Sequence, residues 1–156
     1  KNLFFVLRLL IGGFPSKFFH LKEFGEKLGK KGHKCKLVTD TDIFSGFPSR
    51  HLKDWFDNKT KFKKLISEFS PDAIFIDRQT NFGKAAIEEK IPLFVHLRGD
   101  YWAESKMAKE TLYRYPPKRS VIWFKERIAH ICFQGASNYI NITINKIGWI
   151  NNWKIF

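Results

Sequence analysis

Residues 4–40 constrain the fold of this chain more than any other segment. They predict a strand, a turn at Gly12 and Gly13, a helix and a second strand. The run at residues 3–7 is apolar without alternation, which is typical of a strand covered on both faces. This order begins a parallel α/β sheet and sets a helix N-terminus over the end of the first strand, where backbone N–H groups favour anions. We therefore expect the chain to handle a phosphorylated compound.

The first helix follows from local signals on both sides of it. Pro15 and Ser16 favour a helix start. Four residues recur at intervals of three or four positions and predict a helical stripe that faces the core: Phe18, Leu21, Gly25 and Leu28. Gly25 and Gly29 predict close approach of the helix to the sheet, and Gly32 fits a left-handed C-cap. A second strand is predicted at residues 33–39.

Similar units recur along the rest of the chain. Residues 59–69 predict an amphipathic helix whose opposite face carries lysines. Its apolar face is formed by Phe62, Leu65, Ile66 and Phe69. Further strands are predicted at residues 72–77, 91–97 and 130–133, and further helices at 82–90, at 118–129 and after Ser137. Residues 45–55 and 101–119 are predicted to be long irregular connections. The alternation predicts an α/β fold, a Rossmann-like parallel sheet covered by helices on both faces.

Length and composition support one globular domain over residues 1–156. The chain has 156 residues, 44% of them hydrophobic and 17 of them Phe, which excludes a disordered chain. Cys35 and Cys132 each fall in a predicted buried strand and are expected to be small core side chains, so no disulfide framework or metal site is expected. The dinucleotide fingerprint, the phosphate loop and the hydrolase nucleophile elbow are all missing from the sequence.

The remaining candidates for a site are polar or glycine residues at strand ends, which the topology gathers at one edge: Gly12, Gly13, Asp77, Arg78, His96, Arg98 and Asp100. Each also has a structural interpretation. The two glycines fit a tight turn, and His96 fits a hydrogen-bonded histidine at a strand end. Asp100 fits a cap of the following turn, and Arg98 fits an ion pair with Asp77.

Several of these segments together resemble a known enzyme family. The Gly12-Gly13 junction, the helix that carries His20 and the turn at residues 30–33 are similar to the N-terminal domain of a GT-B glycosyltransferase, and most similar to retaining glycosyltransferase family 4 (group 1). Residues 71–77 (PDAIFID) and 91–100 (IPLFVHLRGD) resemble that family's third and fourth strands. Residues 129–139 resemble its fifth strand and the helix that follows. The resemblance covers nearly the whole chain.

The resemblance implies one half of a two-domain enzyme that transfers a sugar from a nucleotide-sugar donor to a glycan or lipid-linked acceptor. This chain matches the acceptor-side domain, and the C-terminal donor-binding domain with its acidic motif is not in it. Gly12 and Gly13 would lie against the donor diphosphate or the acceptor, and His96 would lie near the transferred sugar as the catalytic residue. Phe14-Pro15 departs from the small or polar residues usual after the paired glycines.

The remaining site residues carried over as donor or acceptor contacts are Lys17, His20, Asp77, Arg98 and Asp100. No cofactor and no metal is implied. The resemblance implies a cytoplasmic protein of cell envelope biosynthesis. The fragment alone is expected to bind donor weakly and to have no transferase activity.

The net charge of +13 predicts an anionic partner without naming one. For a lipid-linked acceptor, residues 59–69 together with Trp102, Tyr113, Tyr115 and Trp123 predict peripheral contact with an anionic membrane at the inner face of the cell. A solvated lysine-rich face explains the charge equally well. A basic α/β module that binds RNA stays open as an alternative, although a sheet covered on both sides disfavours it. A flavodoxin-like or receiver-like domain would need acidic residues at the end of the first strand.

Overall fold

A computed structural model describes residues 6–13, 18–39, 59–97 and 100–141 of the chain. Its five strands are β1 (Arg8–Gly13), β2 (Lys34–Thr39), β3 (Ala73–Ile76), β4 (Leu93–Leu97) and β5 (Asn138–Asn141). Its five helices are α1 (Phe18–Lys30), α2 (Lys59–Phe69), α3 (Asn81–Glu88), α4 (Tyr101–Glu110) and α5 (Lys118–Gly135). All strand pairs are parallel, in the order β2-β1-β3-β4-β5. The predicted parallel α/β fold is confirmed.

Two apolar layers lie on opposite faces of the sheet, because successive side chains of a strand point to opposite sides. On one face Leu9 and Ile11 of β1 pack with Leu21 of α1. On the other face Leu10 packs in a larger core with α2, α3 and α5, including Phe62. Helices therefore cover both faces of the sheet, as the alternation of elements predicts.

The first strand begins and ends later than the apolar run predicts. β1 is Arg8–Gly13, so Gly12 and Gly13 are its last two residues and not a turn, and Leu7 precedes it. Arg8 is tolerated at the strand start because its guanidinium donates to the carbonyl of Phe69 and lies 5.1 Å from the centre of that ring. The predicted helix start at Pro15 and Ser16 lies outside the described residues, as does the loop at 45–55.

The last third of the chain differs most from the sequence-based prediction. Residues 101–110 form α4 and not an irregular connection, and α5 continues through the segment predicted as a strand at 130–133. Cys132 is consequently buried in a helix. Ser137 does not cap a helix, because its N–H donates to the carbonyl of Leu93 at 2.9 Å and leads into β5. A strand follows Ser137 instead of a helix because β5 pairs with the open edge of β4.

The glycines of α1 show which of them the packing needs. A Cβ atom on Gly25 would lie 3.3 Å from Cδ1 of Ile11, which confirms close approach of α1 to the sheet there. Gly29 has open space around that position, so the second predicted close approach is wrong. Gly32 has a φ of +88°, in the left-handed region that the predicted C-cap requires.

Candidate functional site

The carboxyl ends of β1, β3 and β4 bring three of the predicted site residues into one row. Gly12 is aligned with Ile76, and Ile76 with Val95, so Gly13, Asp77 and His96 are the next residues along three neighbouring strands. The N–H of Asp77 donates to the carbonyl of Gly12 at 3.2 Å, which extends the ladder to the strand ends. Neighbouring strands lie about 4.8 Å apart, so the row is compact.

All three positions of this row face the side of the sheet that α1 covers. A Cβ atom on Gly13 would lie 1.9 Å from Cδ1 of Leu21 and 3.0 Å from Oδ1 of Asp77. Only glycine fits between the Leu21 side chain and the carboxylate without displacing one of them. Asp77 is 5% exposed, and its Oδ1 atom is inaccessible to solvent. Gly13 therefore lets the helix and a buried carboxylate meet at the strand end.

His96 is oriented by a short stack of aromatic rings. Its imidazole lies 5.9 Å from the Phe75 ring at an interplanar angle of 26°, and Phe75 lies 4.9 Å from Phe24 of α1. The side chain is half-buried and its backbone is aligned with Ile140 of β5. An imidazole can donate or accept a proton near neutral pH, and a carboxylate accepts hydrogen bonds from sugar hydroxyls. The row thus contains one group of each chemical kind, an imidazole and a carboxylate.

Two of the other predicted site residues, His20 and Asp100, lie in described segments. His20 lies in the first turn of α1, is exposed, and makes an edge contact with Phe19 at 5.8 Å. Asp100 caps α4, because its Oδ1 accepts hydrogen bonds at 3.0 Å from the N–H groups of Trp102 and Ala103. Lys17 and Arg98 lie outside the described residues. Ligand contacts of all these residues remain predictions.

A cleft of about 280 Å³ begins one residue after Asp77, on the side of the sheet where α5 packs, and was not predicted from the sequence. The segment after Asp77, beginning at Arg78, forms one wall, and α4, α5 and their connection form the other. Lys125 donates a hydrogen bond of 2.9 Å to the hydroxyl of Tyr113 and lies 5.1 Å from the centre of its ring. Burial, followed by the nearby Glu126 and Cys132, raises the pKa of Tyr101 to about 12, so its hydroxyl is neutral.

Within residues 6–13, 18–39, 59–97 and 100–141, no three His, Cys, Asp or Glu side chains converge as metal ligands would. Among the helices of those same segments, none combines the length and the apolar character needed to cross a lipid bilayer.

Comparison with known proteins gives a likeness in structure only. No family model matches the sequence, and no curated protein matches it. UDP-N-acetylglucosamine 2-epimerase from Rickettsia bellii is 16% identical with a TM-score of 0.58, over 89% of this chain and 39% of that one. This likeness shows the fold alone, a Rossmann-like parallel α/β domain. The chain spans well under half the length of that enzyme.

Two structures with lower TM-scores also align with most of the chain. UDP-GlcNAc 2-epimerase from Neisseria meningitidis, bound to UDP-GlcNAc, is 14% identical with a TM-score of 0.48, over 86% of this chain and 39% of that one. A LacI family transcriptional regulator from Bifidobacterium animalis subsp. lactis is 13% identical with a TM-score of 0.41, over 89% and 52%. Both fall below the similarity on which a functional argument can be based.

Proposed function

We propose that this chain is the N-terminal, acceptor-side domain of a GT-B glycosyltransferase. Such an enzyme transfers a sugar from a nucleotide-sugar donor to a glycan or lipid-linked acceptor. The observation that carries the proposal is the row of Gly13, Asp77 and His96 at the carboxyl ends of three neighbouring parallel strands. In open α/β sheets, ligands bind in the crevice outside these strand ends.

Each member of the row has a role that its surroundings support. Gly12 and Gly13 would lie against the donor diphosphate or the acceptor through their backbone at the end of β1, since Leu21 and Asp77 fill the space at the Cβ position of Gly13. Asp77 would contact the donor or acceptor from its buried position at the end of β3, and His96 is the catalytic residue next to the transferred sugar. The crevice over this row is separate from the cleft between Arg78 and α5, and its second wall would come from a donor-binding domain.

Four further residues complete the proposed binding site. Lys17 and His20, at the start of α1, would hold an anionic acceptor. Arg98 and Asp100, which follow β4, would contact the donor or acceptor from the next strand end. Since Asp100 also caps α4, ligand binding there would couple directly to the position of that helix.

A second candidate function is epimerisation of a sugar nucleotide. The named activity of the Rickettsia bellii enzyme, whose fold this chain shares, favours it. Both candidates need a nucleotide-sugar at the same strand ends, and they differ in whether an acceptor takes part. A basic module that binds RNA is the alternative outside enzymes, and the charge of +13 favours it.

Titration of the isotope-labelled chain with UDP-GlcNAc, followed by NMR, tests the proposal. We expect weak binding, with the largest shift changes in the amides of Gly13, Asp77 and His96. His96→Ala should reduce those changes. His130→Ala is the matched control, because His130 is an exposed histidine on α5, away from the row.

Three other results would bear on this assignment. Absence of shift changes with UDP-GlcNAc and other sugar nucleotides, combined with tight RNA binding that falls steeply with salt, would overturn it in favour of an RNA-binding module. Turnover of a sugar nucleotide by this chain alone would contradict the two-wall cleft. For an enzyme that contains the domain, change of UDP-GlcNAc without an acceptor would favour epimerisation.

A further inference from the structure

The exposed apolar side chains of the described residues are concentrated on one helical hairpin. Trp102 and Met107 lie on α4, Leu112 and Tyr115 on the connection, and Trp123 on α5, and each is between 53% and 72% exposed. The other exposed large hydrophobic side chains of the described segments are Val6, before β1, and Phe19 and Phe24 on α1, and only Phe19 among them is as exposed as the hairpin residues. We call residues 102–127 the hairpin surface. An exposed apolar concentration of this kind marks an interaction site.

Cations and aromatic rings alternate on this surface. Trp102 and Trp123 line one groove of about 450 Å³, together with Lys106 and Arg127. The Arg127 guanidinium lies 5.5 Å from the centre of the Trp123 ring. The acidic member of the groove, Glu126, is engaged by Lys109 at 2.6 Å and by the hydroxyl of Ser105 at 2.6 Å. The groove therefore presents positive charge and apolar rings outward.

Charge and side-chain chemistry together select the partner. Between residues 101 and 130 there are seven Lys or Arg and three Glu, which favours an anionic surface. Tryptophan and tyrosine have apolar rings and a polar edge, and they concentrate at the headgroup level of membranes. Met107 and Leu112 cannot stack on bases as an aromatic ring does, so they fit a lipid phase better than RNA. We infer that the hairpin surface docks on an anionic phospholipid bilayer.

The structure also excludes the segment that the sequence favours for this role. The apolar stripe of α2, which includes Phe62, Leu65 and Ile66, is buried in the core and is not available for insertion. On its back, Lys63 pairs with Glu88 at 3.3 Å and with Glu89 at 3.0 Å. Membrane contact is therefore assigned to α4 and α5, and it does not rest on the proposed sugar transfer.

Co-sedimentation of the full 156-residue chain with vesicles tests the inference. We expect binding to vesicles of phosphatidylglycerol and phosphatidylcholine, and little binding to phosphatidylcholine alone. Lys106→Gln/Arg127→Gln should weaken binding roughly twenty-five-fold at low salt, since each cation near the surface contributes about fivefold. At 0.5 M salt, Trp102→Ala/Trp123→Ala should weaken vesicle binding more than the charge variant does, because apolar insertion is then the main remaining contribution.

The matched control is Lys30→Gln/Lys31→Gln, which removes the same charge from the end of α1. This end lies at the amino edge of the sheet and on the opposite face from α5, so the control should change binding less than about twofold. Equal weakening by both charge variants, or no binding to anionic vesicles, would overturn the inference. The inference would also be overturned if single-stranded RNA competes with the vesicles for the chain and the tryptophan variant still binds that RNA. Circular dichroism confirms that each variant is folded.

Discussion

Gly13 and Asp77 lie side by side at the ends of β1 and β3, where a Cβ atom on Gly13 would lie 3.0 Å from Oδ1 of Asp77. The same Cβ atom would overlap Cδ1 of Leu21 at 1.9 Å. One missing side chain therefore allows α1 to approach the sheet and leaves the carboxylate room at the strand end. This relationship connects the packing of the fold to the proposed site, because both depend on the same glycine.

Gly13→Ala should destabilise the fold by about 1–3 kcal/mol, the usual effect of forcing an extra methyl group into a packed site. Leu21 is 3% exposed and has little space to move. Urea unfolding followed by circular dichroism measures the loss. In a double-mutant cycle with Leu21→Val, the combined loss should be smaller than the sum of the two single losses, because valine leaves room for the new methyl group.

Gly29→Ala is the control for this substitution. No heavy atom lies within 4 Å of the position that its Cβ atom would take, so alanine should stabilise α1 by about 0.5–1 kcal/mol through its higher helix propensity. Equal unfolding midpoints for Gly13→Ala and the wild type would contradict the close approach at Gly13.

Much of the first two thirds of the chain could be predicted because the signals for its elements are local. The apolar spacing of α2 identifies both of its ends, Lys59 and Phe69, and Gly32 identifies the end of α1 through its left-handed backbone. The predicted position of β1 was too early in the chain because Arg8 interrupts its apolar pattern. Only the tertiary structure supplies the Phe69 ring and carbonyl that accommodate the guanidinium.

Apart from the start of α5 at Lys118, which the sequence predicts, the last third could not be predicted because its elements depend on long-range partners. α4 has a weakly amphipathic sequence and is held by its cap and by α5. β5 contains Asn138 and Asn141, which are poor strand residues, and it exists because β4 offers an open edge. The same misassignment hid the cleft near Tyr101 and Lys125, whose walls are α4 and α5. The row at Gly13, Asp77 and His96 was predictable because the topology alone gathers strand ends.

Asp100→Ala should destabilise α4 by about 1 kcal/mol, since its carboxylate accepts hydrogen bonds from the N–H groups of Trp102 and Ala103. Thermal unfolding of the variant measures this loss. Asp100→Asn keeps an acceptor oxygen and should lose much less. A loss of the same size in both variants would show that the negative charge, and not the capping bond, stabilises this helix start.

Glu126 should make the fold more sensitive to acid. Burial alone would raise the pKa of this carboxyl, but hydrogen bonds from Lys109 and Ser105 outweigh it and lower the pKa below the usual 4.5. Its stabilising effect is therefore fully present above pH 4.5 and is lost as the pH falls through the lower pKa of the folded state. In Glu126→Gln, the unfolding midpoint should change less between pH 6 and pH 3.

The comparison variant for Glu126 is Glu104→Gln, which removes an exposed carboxylate from the same helix pair. It should keep the wild-type dependence of stability on pH in this range. An unchanged acid response in Glu126→Gln would contradict a role for the contacts to Lys109 and Ser105.

The two cysteines should differ widely in reactivity. Burial raises the pKa of the Cys132 thiol to about 12, and its Sγ lies 3.6 Å from the carbonyl of Thr80 in the core beneath α3. Burial also raises the pKa of Cys35, which is only half-buried in β2.

At pH 8, iodoacetamide should modify Cys35 in the folded protein, whereas Cys132 should react through unfolding alone. Its rate should then be lower by roughly a thousandfold or more, the inverse of a typical unfolded fraction. Peptide mass spectrometry over time separates the two sites, and labelling in 8 M urea should equalise them. Rapid modification of Cys132 in the native protein would show that α5 does not seal this part of the core.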